Sequence, residues 1–195
     1  MISAVLLAAG ESRRMGEFKQ LLPLGNKTLV ECCVDNLLAS SVDDIVVVLG
    51  HCAIDVRNAL GHRPVRFVLN EDYQEGMSTS IKRGIEALPR ETDAVLISLS
   101  DQPQIGSEVI NKLIEVYKTE KPLVVIPTYN GRNGHPIILD LTLRGEILAM
   151  DPMKGLRQVV HANSNRAVRV EVPTDAILID LDWPEDYQRL SKPRP

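Results

Sequence analysis

The chain has 195 residues but only three cysteines, Cys32, Cys33 and Cys52, with no CxxC or Cys/His spacing. That pattern excludes a zinc framework, and a reduced, cytoplasmic protein is expected. An excess of positive charge is also missing: 22 Lys and Arg face 26 Asp and Glu, a net charge of -4. Neutralising a phosphate backbone requires clustered cations, so no nucleic-acid partner is expected, although local positive charge suffices for a small anion. No apolar run is long enough to span a bilayer, and Ile2 to Ala9 lacks the basic flank of a signal peptide; neither a membrane span nor a leader is expected. Repeats, low-complexity tracts and breaks in composition are absent, which predicts a single domain over residues 1–190 with a frayed tail at 191–195.

What is present is an alternation of short apolar runs with helical patterns. Ala4–Leu7, Ile45–Leu49, Val65–Leu69, Ala94–Ile97 and Leu123–Ile126 read as buried strands. Thr28 and Glu31 form a capping-box pattern, followed by an apolar stripe at 29, 30, 33, 34, 37 and 38, which predicts a helix. Further helices are predicted at Ala53–Leu60, Ser78–Leu88, Ser107–Lys118, Thr142–Met150, Lys154–His161 and Pro184–Leu190. This order predicts an α/β, Rossmann-like fold of three layers, with helices on both faces of a mostly parallel sheet. Such sheets bind ligands beyond the carboxyl ends of their strands. After Ile126 the pattern loosens into a polar stretch, Tyr129 to Gly134, and a short apolar run, Pro136 to Leu139.

The first strand runs into Gly10, and the following segment holds Arg13, Arg14, Gly16 and Lys19. Glycine lets backbone amides approach phosphate oxygens, and the cations neutralise charge developing on them. Neither a Walker A loop nor a GxGxxG turn fits the spacing. By its own chemistry the segment is a candidate phosphate loop, or else a solvated surface turn. The run ending at Leu99 is followed by Ser100-Asp101-Gln102-Pro103. Asp101 there suits Mg²⁺, which takes one or two carboxylates and leaves its other positions to water and phosphates, but an Asp in this place is also a common turn former and cap. No GxSxG elbow accompanies the Ser, His and Asp residues, and Cys32-Cys33 lies on an apolar helical stripe, so a nucleophilic hydrolase is not supported.

LAAGESRRMGEFKQLLPLG, beginning at Leu7, resembles the signature LAAGxSxRMGxxKxLLP of the MobA-like nucleotidyltransferases, and within them the molybdenum cofactor cytidylyltransferases. Four further segments resemble the family's motifs in family order: GMSTSIKRG at Gly76 to Gly84, DQP at Asp101, GHP at Gly134 to Pro136, and IDLDWPEDY at Ile179 to Tyr187. In the last, Leu181 and Trp183 depart from the usual Ile and Thr. The resemblance implies the nucleotide-diphospho-sugar transferase type of fold. It places Ala8, Ala9 and Gly10 against base and ribose, Arg14 and Lys19 on the triphosphate, and Gly76, Met77 and Ser80 as a lid over the base. Asp101 and Asp182 are implied as metal ligands, and His135 falls on the acceptor side. Asp182 also fits a helix cap ahead of Pro184.

The activity so implied is transfer of CMP from CTP to the terminal phosphate of molybdopterin, with Mg²⁺ and release of pyrophosphate. CTP is preferred because guanylyl-transferring relatives tend to read LAGG where this chain has Ala9. Two other readings stay open: another small phosphorylated acceptor such as a sugar or alcohol phosphate, and a non-catalytic accessory protein serving a molybdenum hydroxylase.

Overall fold

The computed structural model describes residues 1–191. In chain order the elements are β1 (Ile2–Ala8), the hairpin strands β2 (Pro23–Leu24) and β3 (Lys27–Thr28), α1 (Leu29–Leu38), β4 (Asp44–Leu49), α2 (Ala53–Leu60), β5 (Arg66–Leu69) and α3 (Met77–Glu86). There follow β6 (Ala94–Leu99), α4 (Ser107–Glu120), β7 (Val124–Tyr129), β8 (Arg132–Asn133), β9 (Ile137–Asp140), α5 (Arg144–Leu148), α6 (Leu156–Ala162), β10 (Ala167–Glu171) and α7 (Pro184–Ser191). The expected capping box is present. Thr28 Oγ1 accepts from the Glu31 amide and the Glu31 carboxylate accepts from the Thr28 amide, so two of the amides that a helix start leaves unpaired are satisfied.

One eight-stranded sheet runs in the order β10-β7-β9-β6-β1-β4-β5, with β8 paired to β7. β1 pairs in parallel with both β4 and β6, and all seven of its residues are buried. The chain moves outward from β1 through β4 to β5, then returns to β6 on the other side of β1. That reversal opens a crevice at the carboxyl ends of β1 and β6. Alternate residues of β1 feed two separate cores, as the pleat requires. Ala4, Leu6 and Ala8 pack with Val34 of α1, Leu60 of α2 and Leu113 of α4; Val5 and Leu7 pack with Ile81 of α3, Ile147 of α5 and Val159 of α6. The expected three layers follow. Gly84 lets α3 lie against the sheet, since a Cβ there would stand 2.4 Å from Val5 Cγ1.

The structure adds to the sequence expectations in the carboxyl-terminal half. The apolar run at Pro136–Leu139 becomes β9, an antiparallel strand inserted between β6 and β7. β10, unanticipated, pairs in parallel with β7 at the sheet edge. The helix expected at Thr142–Met150 is a 3-10 turn, Leu141–Leu143, followed by the short α5. Ser191 closes α7, and the rest of the tail expected at 191–195 lies outside the described residues.

Candidate active site

The segment after β1 is held in shape by side-chain bonds across its base. Ser12 and Gly16 take left-handed backbone angles, φ 55° and 71°, which glycine accepts freely and Ser12 adopts within a turn closed by Met15 N–H donating to Ser12 O at 2.9 Å. The Ser12 hydroxyl donates to Gln20 Oε1 (2.9 Å) and accepts from the Lys19 amide (3.2 Å). Buried Gln20 donates in turn to Gly10 O at 3.0 Å. This lacing turns Lys19 toward the end of β6.

There the Lys19 ammonium donates to Asp101 Oδ2 at 2.6 Å and to Asp182 Oδ1 at 3.2 Å. The Arg14 guanidinium pairs with the other oxygen of Asp182 at 2.8 Å and stacks 5.9 Å from the Trp183 ring centroid. Asp182 reaches the site because Leu181 N–H donates to Asp101 O at 3.2 Å, docking the carboxyl-terminal segment on the end of β6. Residues from 7 to 182 thereby converge in a cleft of about 460 Å³, which Ala9, Gly10, Arg14, Lys19, Gly76, Met77, Ser80, Asp101 and Asp182 all help to line.

The wall opposite the loop comes from α3. Gly76 precedes that helix with φ 115°, a conformation L side chains rarely adopt. Fully buried Asn70 donates to Thr79 Oγ1 and Ser80 Oγ, both at 2.9 Å. Together they fix the turn that presents Met77 to the cleft.

Asp101 Oδ1 is buried and has no hydrogen-bond partner. A buried carboxylate oxygen without a partner is costly, and a cation would satisfy it. Among the described residues no three His, Cys, Asp or Glu side chains surround a metal position. Asp101, with its unpartnered oxygen, and Asp182 beside it suit a hard cation that uses one or two carboxylates and completes its shell with water and phosphate oxygens.

Two of the expected site residues stand apart. Ala8 is wholly buried in the core, and His135 is not among the residues lining the cleft. The His135 amide donates to Ile177 O at 3.1 Å. Burial pushes its imidazole below the usual value of 6.5, while the charge of Asp101 pulls it upward.

Residues 4–168 match the family model of the MobA-like NTP transferase domain. The chain belongs to the MobA-like NTP transferase family. It is 24% identical to molybdenum cofactor cytidylyltransferase of Escherichia coli (strain K12), covering 95% of this chain and 93% of that one. It is 31% identical to nicotine blue oxidoreductase of Paenarthrobacter nicotinovorans, over 73% and 72% of the two chains. Among solved structures, Rv0371c from Mycobacterium tuberculosis H37Rv superimposes with a TM-score of 0.87 at 27% identity, covering 97% of each chain. The same protein was also solved in complex with manganese, with a TM-score of 0.80 to this chain and 97% of each chain covered. The fold is that of the nucleotide-diphospho-sugar transferases, as the motifs implied.

Within this MobA-like frame, sequence reasoning missed Asp180, which lines the same cleft. Burial, then the charges of Asp101 and Asp182, push its carboxyl above the ordinary range, while Gln102 Nε2, donating to Asp180 Oδ1 at 2.8 Å, opposes them. The available signal was the i, i+2 spacing of Asp180 and Asp182, which in an extended segment points both to one side. The bracing by Gln20 carries no such signal.

Proposed function

We propose that this MobA-like protein transfers CMP from CTP to the terminal phosphate of a molybdopterin-type cofactor, with Mg²⁺ as the required cation. The observation that carries the reading is the convergence of Lys19, Asp101 and Asp182 beside the unpartnered Asp101 Oδ1. That set suits phosphoryl chemistry far better than hydride transfer, despite the oxidoreductase named among the relatives.

An oxygen of the acceptor phosphate attacks the α-phosphorus of the nucleotide, a new P–O bond forms, and the bond to the β-phosphate oxygen breaks to release pyrophosphate. The attacking phosphate is already ionised at neutral pH, so positioning and charge neutralisation suffice without a strong base. Lys19 and Arg14 offset the charge on the triphosphate and on the leaving pyrophosphate. Asp101 and Asp182 would hold Mg²⁺, which supplies Lewis-acid neutralisation of the phosphates. Ala9, Gly10, Gly76, Met77 and Ser80 enclose base and ribose, and His135, outside the cleft these residues line, is assigned to the acceptor side. The Cβ of Ala9 narrows the base pocket against a purine. The product would pass to a molybdenum hydroxylase.

The test is pyrophosphate release with each of the four NTPs, with and without molybdopterin and Mg²⁺. Release is expected with CTP and only when cofactor and metal are both present. Release with a sugar or alcohol phosphate in place of molybdopterin would reassign the acceptor. CTP binding with no metal-dependent release under any condition would favour an accessory role.

A further inference from the structure

The groups suited to the triphosphate and those suited to the cation are bonded to one another. Lys19 and Asp101 pair at 2.6 Å with side chains only 12% and 16% exposed. Asp182 is shared between Lys19 and Arg14, at 3.2 Å and 2.8 Å. Two cations thus meet two carboxylates, a formally neutral cluster. Attraction at such spacing is strong where water is largely excluded, and removing one partner leaves the other unpaired at a large cost.

We propose that Lys19 is a tethered counter-ion for Asp101 and Asp182, an ion-pair latch that makes the divalent cation and the nucleotide bind as one unit. This rests on the transfer reading only in taking a nucleoside triphosphate with a divalent cation as the ligand. A divalent cation arriving alone must displace the ammonium, which then has no carboxylate and stays beside a like charge. A triphosphate arriving alone must draw Lys19 and Arg14 away, leaving Asp101 and Asp182 uncompensated near its own negative charge. When both arrive, partners are exchanged: the carboxylates turn to the cation and the ammonium and guanidinium to the phosphates. The exchange leaves no charge without a partner. Arg14 is 59% exposed, so its share of the latch is smaller than that of Lys19.

The protein carries its own reporter. Trp183, the single tryptophan of the chain, stacks on Arg14 at the edge of the latch, so its fluorescence follows the release of Arg14 from Asp182. The experiment measures Mn²⁺ binding to the full chain by the electron-spin signal of the free ion. Trp183 fluorescence is recorded in parallel, with and without α,β-methylene-CTP, which cannot turn over.

For the unaltered protein, weak Mn²⁺ binding alone is expected, tightening by at least about tenfold with the analogue, within the usual range of such couplings. Direct contact between ion and phosphates gives part of that coupling, so the decisive arm is Mn²⁺ alone on Lys19→Met. There the affinity should rise by about tenfold over the unaltered protein, as happens when an internal competitor is removed. A folded Lys19→Met protein that binds Mn²⁺ no more tightly than the unaltered one overturns the latch. Should Lys19→Met fail to fold, Arg14→Gln replaces it, with a smaller rise of about two- to threefold expected and no rise counting against the proposal. If the unaltered protein releases pyrophosphate and the folded variants show no rise, the latch is lost and the transfer reading stands; if the variants show the rise and the unaltered protein releases none, the transfer reading is lost and the latch stands.

Discussion

Replacing Asp101 by Asn keeps the size of the side chain and removes its charge. Lys19 then loses its 2.6 Å partner but keeps Asp182 at 3.2 Å. The loss of stability is therefore smaller than the roughly 3–5 kcal/mol of orphaning a buried charge. Relief of repulsion with Asp180 and Asp182 reduces it further. A net cost of about 1 kcal/mol corresponds to a fall in Tm of about 2–4 °C for a domain of this size. Catalysis should suffer much more. Loss of a central electrostatic contact in a preorganised site costs about 10²–10³ in kcat, roughly 2.7–4 kcal/mol of transition-state stabilisation. The effect belongs to kcat more than to KM, because charge on the phosphates is greatest as the bond to pyrophosphate breaks. Continuous pyrophosphate release, read beside thermal unfolding of the same preparation, separates the two effects. Near-normal release from a folded Asp101→Asn protein would refute the role given to this carboxylate.

Two further outcomes test how the fold supports the site. In Gly84→Ala, the added methyl meets Val5 Cγ1 at 2.4 Å and Val48 Cγ2 at 3.2 Å; overpacking of about 1–3 kcal/mol outweighs the gain of about 1 kcal/mol in helix propensity, so a net loss of up to about 2 kcal/mol is expected. Denaturant unfolding checks this, and an increase in stability would contradict the close packing of α3. Because burial holds His135 below its usual 6.5, the unfolded chain takes up a proton that the folded chain resists. That component of stability is complete above about pH 6.5 and is lost as the pH falls toward the folded value. His135→Gln should flatten the fall in Tm between about pH 7 and pH 5 relative to the unaltered protein, and equal slopes would argue against a buried, neutral imidazole.

In the amino-terminal half β1 and β4 were readable because they are buried on both faces, and α1 because it carries a clean apolar stripe; β5, expected as a buried strand, lies instead at the sheet edge with Arg66 and Leu69 exposed. β1, α1 and β4 stand where their patterns put them. The sheet beyond β6 was less legible. β9 is four residues long, and nothing local states that it runs antiparallel between two strands from different parts of the chain. β10 lies at an edge with only Val170 buried, so its apolar signal is weak. Among the site residues, Asp101 was legible as a carboxylate at a strand end and Lys19 as a cation in a glycine loop. Their contact spans 82 positions of sequence and follows from the order of β1 and β6 in the sheet. The same docking of the 180–182 segment on β6 brought in Asp180.

The two strands that bear the site are enclosed by core on both faces, whereas most residues lining the cleft lie on the segments that leave them. A substitution at Met77, exposed on the cleft wall, alters what the cleft admits while the floor beneath keeps its register. Such a molecule joins a close-packed foundation that tolerates little change of volume to a rim whose side chains are free of that constraint.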